Sequence, residues 1–271
     1  MMLLPSAGAS VPEVAESAVD EWPAVECPRE RPVVGEQLSF QGRWFGLPVG
    51  RGWIKVQDLS RLDGRMVYHI QAEGHSNELL SAFYPIHDIL DSYFDAESFR
   101  PLRFEKHQRE GRYQADEVVD FDYQRGLATY RSLLNGSVKE IPIPDDVHDI
   151  ISVFYWLRSQ PIQPRQPIMA HIYSDEKVYQ AQLQPHNPVM LELLRRGTFS
   201  CLVFEPIAAL KGILVRRGRI WLYVTSDERR MPVFAKITTP WGPITGILDA
   251  QSMRPVVEPV SVASDAEAGK E

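Results

Sequence analysis

Two near-identical tripeptides, His87-Asp88-Ile89 and His148-Asp149-Ile150, are the residues of this chain best suited to chemistry. A His beside an Asp can hold a divalent ion or pass a proton, as in metal-dependent phosphohydrolases. That chemistry needs further His and Asp ligands fixed on packed helices. Asp91, four residues after His87, joins it on one face only if that stretch is helical. A plainer account makes His148 and Asp149 solvated residues of a first helical turn and Asp88 a turn cap. Asp227-Glu228 is a carboxylate pair of the kind glycoside hydrolysis uses, but it lies between two strand-like runs beside Arg229-Arg230, where a solvated turn accounts for it. No GxSxG elbow occurs, and the sequence places no base beside Cys27 or Cys201. No catalytic residue, metal ligand or cofactor is assigned.

The aromatic residues suggest binding. Trp44, Phe45, Trp53, Phe83, Tyr84, Tyr93, Phe94, Phe154, Tyr155, Trp156, Trp221 and Tyr223 are numerous for one β-rich body. In Ile220–Val224 both alternating faces are apolar, Ile220, Leu222 and Val224 on one and Trp221 and Tyr223 on the other. Such a strand must be covered on both sides, by core below and by a helix, a second sheet or a ligand above. A closed core is the simpler outcome. The sharper one is a curved sheet cradling an acyl chain, with Trp44, Phe83, Tyr84, Phe154, Tyr155, Trp221 and Tyr223 as the ligand-binding set. Between Arg195 and Lys236 cations outnumber anions, and Arg216, Arg217, Arg219, Arg229 and Arg230 form a basic region suited to an anionic headgroup or an acidic partner. Solubility charge on loop tips explains it equally well.

The elements that must position these residues are mostly strands. Arg219 to Leu248 holds three short apolar runs, Ile220–Val224, Val233–Ile237 and Ile244–Leu248, separated by turn residues, which is an antiparallel meander. Strand patterns recur over 37–44, 49–59, 66–73, 102–109, 113–122, 127–133, 168–173, 178–183 and 199–204, with a hairpin signal at Asp63-Gly64. Gly50 and Gly52 mark a bulge or bend. A helix is expected over Asp145–Ser159, after Pro144 and with Val147, Ile150, Ile151, Phe154 and Leu157 on one face. Val189–Arg195 suggests a short helix, and Asn77–Phe94 reads as either a helix-turn or a strand. Roughly eleven strands cannot lie flat without exposing apolar edges, so the fold class is mainly β, a curved antiparallel sheet (half-barrel or barrel-like) with one packed amphipathic helix.

The Pro-punctuated, acidic segment 1–33 reads as a disordered arm, 34–253 as a single β-rich domain and 254–271 as a disordered tail. Met1-Met2-Leu3-Leu4 before PSAGAS is either a plain leader or a signal-peptide remnant. It lacks a basic start and an apolar stretch of ~7–15 residues. Cys201, in TFSCLVF, reads as a buried apolar residue; in an oxidising compartment it could instead pair with Cys27. The net charge of −7 disfavours a nucleic-acid partner. The longest near-continuous apolar run, Ile150–Leu157, is far short of the ~20 residues a transmembrane segment needs.

The blocks YPIHDILDSYFDAESFRPLRFEKHQREGRY, DVHDIISVFYWLRSQPI and GRIWLYVTSDERRMPV with WGPITGIL, in that order, resemble an uncharacterised family of exported bacterial proteins known only as a domain of unknown function. The likeness runs from about Gly35 to Leu248. It implies a periplasmic or cell-envelope protein built as a curved antiparallel sheet, similar to the half-barrels of the lipoprotein carriers LolA and LolB. The family supplies no catalytic residue. The leading functional reading is therefore a non-enzymatic envelope protein binding a lipid-like ligand in a β cavity. A structural or adaptor protein that binds another envelope component is the alternative, and a metal-dependent hydrolase is the weakest reading.

Overall fold

Along Leu127–Ser132, Ala128, Tyr130 and Ser132 are buried while Leu127, Thr129 and Arg131 stay partly exposed. That alternation puts one pleated face on a core, and most of the chain repeats it. The computed structural model describes residues 14–19, 31–163, 165–208, 220–239 and 242–253. Within them one sheet of 16 strands forms. In chain order these are β1 (Val14–Ala18), β2 (Gln37–Trp44), β3 (Leu47–Leu62), β4 (Arg65–Ser76), β5 (Ile86–Asp95), β6 (Pro101–Glu110), β7 (Tyr113–Asp122) and β8 (Leu127–Ser132). They continue as β9 (Val138–Pro142), β10 (Val147–His148), β11 (Ile168–Ser174), β12 (Lys177–Leu193), β13 (Gly197–Ala208), β14 (Ile220–Thr225), β15 (Pro232–Thr239) and β16 (Gly242–Leu248).

The hydrogen-bonded path runs from β10 through β16, crosses to β2 and ends at β9, with β1 attached to β12. Every pair is antiparallel except β10 with β11. The expected meander is present as β14, β15 and β16. Val14–Ala18, inside the arm read as unstructured, pairs with Val189–Leu193 of β12, and Tyr223 Oη donates to Glu16 Oε2 at 3.0 Å. The short helix expected over Val189–Arg195 is instead the second half of β12. Val189, Leu191 and Leu193 are buried and Met190 and Glu192 exposed, a period of two that overrides the helix propensity of Leu and Glu. Pro85 divides the ambiguous 77–94 stretch into a one-turn helix α1 (Glu78–Ser81) and β5.

Long strands and register shifts curl the sheet. β3 has 16 residues and β12 has 17, with shifts between Val56 and Asp58, between His186 and Val189, and between Gly42 and Arg43. The last shift lies beside Gly50, one of the two glycines expected to mark a bend. A Cβ added to Gly50 would sit 2.5 Å from the His75 carbonyl oxygen, a backbone atom that cannot swing away. Gly50→Ala is therefore expected to destabilise the protein by about 2 kcal/mol, read as a lower urea midpoint at unchanged slope. The curled sheet does not close, because β9 and β10 end the path unpaired with each other. Side chains bridge that seam. Lys106 of β6 reaches Asp175 in the β11–β12 turn at 3.0 Å, Lys139 of β9 pairs with Glu176, and the Phe121 ring meets Tyr173 edge-on at 5.5 Å.

The principal helix, α2 (Ser152–Ser159), is the crossover between parallel β10 and β11, and it is shorter than the expected 145–159. Asp149 sets its start. Its Oδ1 accepts from the backbone N–H of Ile151 at 2.7 Å and of Ser152 at 2.8 Å, while Ser152 Oγ accepts from the Asp149 N–H at 2.9 Å. That reciprocal box ends helical geometry on its N-terminal side, so Val147 and His148 are left to pair with β11. Tyr155 packs among Val56, Ile70, Phe94 and Val119, and Leu157 among Leu183, Leu202, Phe204 and Val224. Phe154 also touches the group around Leu191 and Phe234, and Trp156 the one around Ala170 and Ala181. A helix that meets both halves of one curved sheet lies on its concave side. Two concavities that border α2 measure about 20 and 10 Å³, room for about one water each.

Candidate functional site

Strand geometry separates the first His-Asp pair. On β5, Leu90 and Phe94 pack into the core and Ser92 Oγ donates to Asp149 at 2.6 Å, so Asp88 shares the inner face with them. His87 faces outward, where its Nε2 meets Glu73 at 3.1 Å. Asp91 is outward too but is occupied by His69, whose Nε2 lies 2.7 Å away and whose ring stacks on Tyr93 at 4.4 Å. The hydrogen bond that the His69 ring donates to Asp91 raises the His69 pKa, against the opposing pull of burial. His148 and Asp149 are not solvated. His148 is 3% exposed, with Nδ1 3.2 Å from the Phe99 carbonyl and its ring against Trp156, and burial lowers its pKa to about 4. Burial likewise pushes the Asp149 carboxyl up, against the hydrogen bonds from Ser92, Ser152 and Ile151 that favour its charged form. Among the described residues no three His, Cys, Asp or Glu side chains converge on a metal position.

The other polar candidates brace the helix. Arg158, at the end of α2, forms a bidentate pair with Glu36 at 2.7 and 2.8 Å and donates twice to the Arg229 carbonyl oxygen. Arg229 pairs with Asp227 at 3.1 Å, and Arg230, 1% exposed, donates to the Gln160 carbonyl beyond the helix. Of the basic set, Arg229 and Arg230 thus serve the fold of the β14–β15 turn. Arg216, Arg217 and Arg219 lie outside the described residues, as does Cys27. Cys201 is buried on β13, where burial pushes its thiol up to about 12 and keeps it protonated and inert.

The seven aromatics proposed as one ligand wall fall into three places. Phe154 and Tyr155 are core residues of α2. Trp221 and Tyr223 occupy one face of β14, with Leu191 and Phe234, while Leu222 and Val224 on the other face pack with Leu157. Both faces of that strand are covered, as its composition requires. Trp44, Phe83 and Tyr84 gather at one end of the sheet and are exposed. Antiparallel pairing puts the turns after β2, β4, β6 and β8 on this same rim, and the row Ile220, Ile237, Ile244, Trp44 crosses four strands to reach it.

The rim holds residues that the sequence did not single out as a site. Phe45 (62% exposed), Leu47, Leu79, Tyr113, Leu133 and Leu134 join Trp44, Phe83 (84%) and Tyr84. The arrangement is braced. Asn77 caps α1 through the Leu80 N–H at 3.0 Å and donates to the Pro48 carbonyl at 2.7 Å, fastening α1 to the β2–β3 turn. Arg43 donates to the Gly46 carbonyl at 3.0 Å. The Phe45 ring lies on Gly242, where an added Cβ would come within 2.1 Å of it, and Tyr84 lies on Gly111 in the same way. Such a rim can bind an apolar partner. The available signal was Phe45-Gly46 itself, an aromatic in a two-residue turn that ordinarily takes Asn or Asp.

No described helix is long and apolar enough to cross a membrane, which leaves spanning by strands unaddressed. No curated protein matches the sequence. Among solved structures, a β-barrel-like protein of a domain of unknown function, DUF1849, from Brucella abortus shares the architecture. The TM-score is 0.55 over 81% of this chain and 97% of that one, at 7% identity. An identity that low speaks for the fold alone. From β2 to the residue after β16, positions 39–249 match the family described as a protein of unknown function, DUF3108, and the chain belongs to that family.

Proposed function

We propose that this protein is a non-catalytic component of the bacterial cell envelope that binds an apolar or amphiphilic partner, and that its binding surface is the aromatic rim. One observation carries the reading. All five exposed aromatic side chains among the described residues, Trp44, Phe45, Phe83, Tyr84 and Tyr113, lie at one end of the sheet. Scattered apolar residues are ordinary on a surface, but their collection on one rim marks an interaction site. The concave side supports the same choice, since α2 fills the space where a half-barrel carrier would seat an acyl chain. Envelope location rests on the resemblance to exported proteins.

The test is binding of monomeric dodecyl maltoside below its micelle concentration, followed by native mass spectrometry. Wild-type protein is expected to retain detergent adducts, and the double variant Trp44→Ser/Phe83→Ser to lose them by roughly tenfold or more in affinity at unchanged melting temperature. Equal retention by both proteins removes the rim from the binding surface.

A further inference from the structure

The hairpins of this fold contain an internal control. Three two-residue turns place both central residues at positive φ: Phe45-Gly46 (48° and 78°), Asp63-Gly64 (49° and 82°) and Asp175-Glu176 (47° and 61°). In that left-handed region the side chain crowds the following carbonyl. Asn and Asp offset the strain with local hydrogen bonds, whereas a bulky aromatic has no such relief. The other two turns carry acidic side chains at their first central position. Only the β2–β3 turn carries a phenyl ring, exposed, tilted against Trp44 at 5.5 Å and seated on Gly242. A strained residue held where a cheaper one would fold better points to a task for its side chain.

From this we infer that the partner of the rim is the surface of a lipid bilayer, entered by Trp44, Phe45 and Leu47 of the β2–β3 turn together with Phe83. The inference rests on the rim as binding surface and names what it binds. The anchors sit on successive turns from β2 to β9, a ridge roughly 30 Å long at the spacing of paired strands. A single acyl chain cannot meet all of them, and a plane can. Their types suit an interface, because Trp and Tyr combine an apolar ring with a polar atom that stays at headgroup level. Exposed charges beside them are of both signs, with Arg112 and Lys139 against Glu78 and Asp175. Apolar insertion therefore supplies the affinity, and zwitterionic lipid suffices.

The experiment is flotation of the full chain with phosphatidylcholine vesicles and with phosphatidylcholine–phosphatidylglycerol vesicles, comparing wild type with Phe45→Asn and Phe83→Ser. Wild type is expected to float with both. Phe45→Asn is expected to melt at the same temperature or higher, since Asn suits the turn, yet to bind roughly tenfold more weakly. That combination separates a docking ring from a structural one. Wild type that fails to float, or a Phe45→Asn variant that floats as wild type does, overturns the inference. If detergent adducts persist while vesicles are ignored, the rim still binds amphiphiles and only the bilayer assignment falls. If both fail, the functional reading falls with it.

Discussion

Replacing Arg158 by Met is expected to cost 3–5 kcal/mol, the range for removing one partner of a buried ion pair. The side chains of Arg158 and Glu36 are 10% and 9% exposed, and their two hydrogen bonds are 2.7 and 2.8 Å. Burial alone would lower the Arg158 pKa, but the Glu36 hydrogen bond and charge more than reverse this and hold it up. Met matches the length of the aliphatic stem and leaves the Glu36 carboxylate stranded in a dry site. It also leaves the Arg229 carbonyl without two donors. A urea midpoint or melting curve reads the loss. The double variant Glu36→Gln/Arg158→Met is expected to recover a large part of it, since most of the penalty belongs to the unpaired charge. A loss below about 1 kcal/mol in the single variant would show that Glu36 finds water or another cation, and that the surroundings of the Arg158–Glu36 pair are wetter than its burial indicates.

Acidification is expected to weaken the fold through His148, with the onset near pH 6.5. The imidazole is nine-tenths or more removed from solvent, and its folded pKa of about 4 lies below the usual 6.5 because burial penalises the cation. The Phe99 carbonyl and Asp146 favour the cation and Arg100 opposes it. Above pH 6.5 the ring is neutral in folded and unfolded chains alike, so its contribution is fully present. As the pH falls the unfolded chain takes up the proton first, and stability declines until the folded ring titrates near 4. Over that window the loss is on the order of 3 kcal/mol. Carboxylates titrate in the lower part of the same range, so the informative quantity is the difference between wild type and His148→Leu. The variant should start less stable, having left the Phe99 carbonyl without its donor, and should lose less between pH 7 and pH 4.5. Parallel declines in the two proteins would assign the acid sensitivity elsewhere.

Much of the scaffold is legible one segment at a time. Tyr113–Asp122 alternates clearly enough to be bounded as observed, and Asp63-Gly64 announces its hairpin. β9 escapes notice because Val138–Pro142 is short, charged and ends in Pro, the features that blunt an exposed edge. Apolar spacing extends the expected helix back to 145 because it counts Val147 and Ile150, whereas the Asp149–Ser152 box decides where helical geometry begins. That box is itself readable as D-x-x-S, a signal present in the chain and outweighed by the periodicity around it.

The aromatic set shows where local reading stops. Trp221 and Tyr223 required cover on their side of β14, and composition alone established it. That Phe154 and Tyr155 are interior, while Trp44 and Phe83 face solvent, depends on which strands lie opposite them. Tyr113 is more than sixty residues from Trp44, yet both stand on one rim because each intervening hairpin returns the chain to the same end.

From its residues alone this chain is a twisted antiparallel β protein with a helix to cover it, because alternation and turn chemistry are properties of neighbours a few positions apart. Only the tertiary structure decided that the helix fills the hollow, that His148 and Asp149 are dry, and that the exposed rings gather on one rim. Burial and proximity depend on pairings across the whole sheet, and no window of sequence contains them.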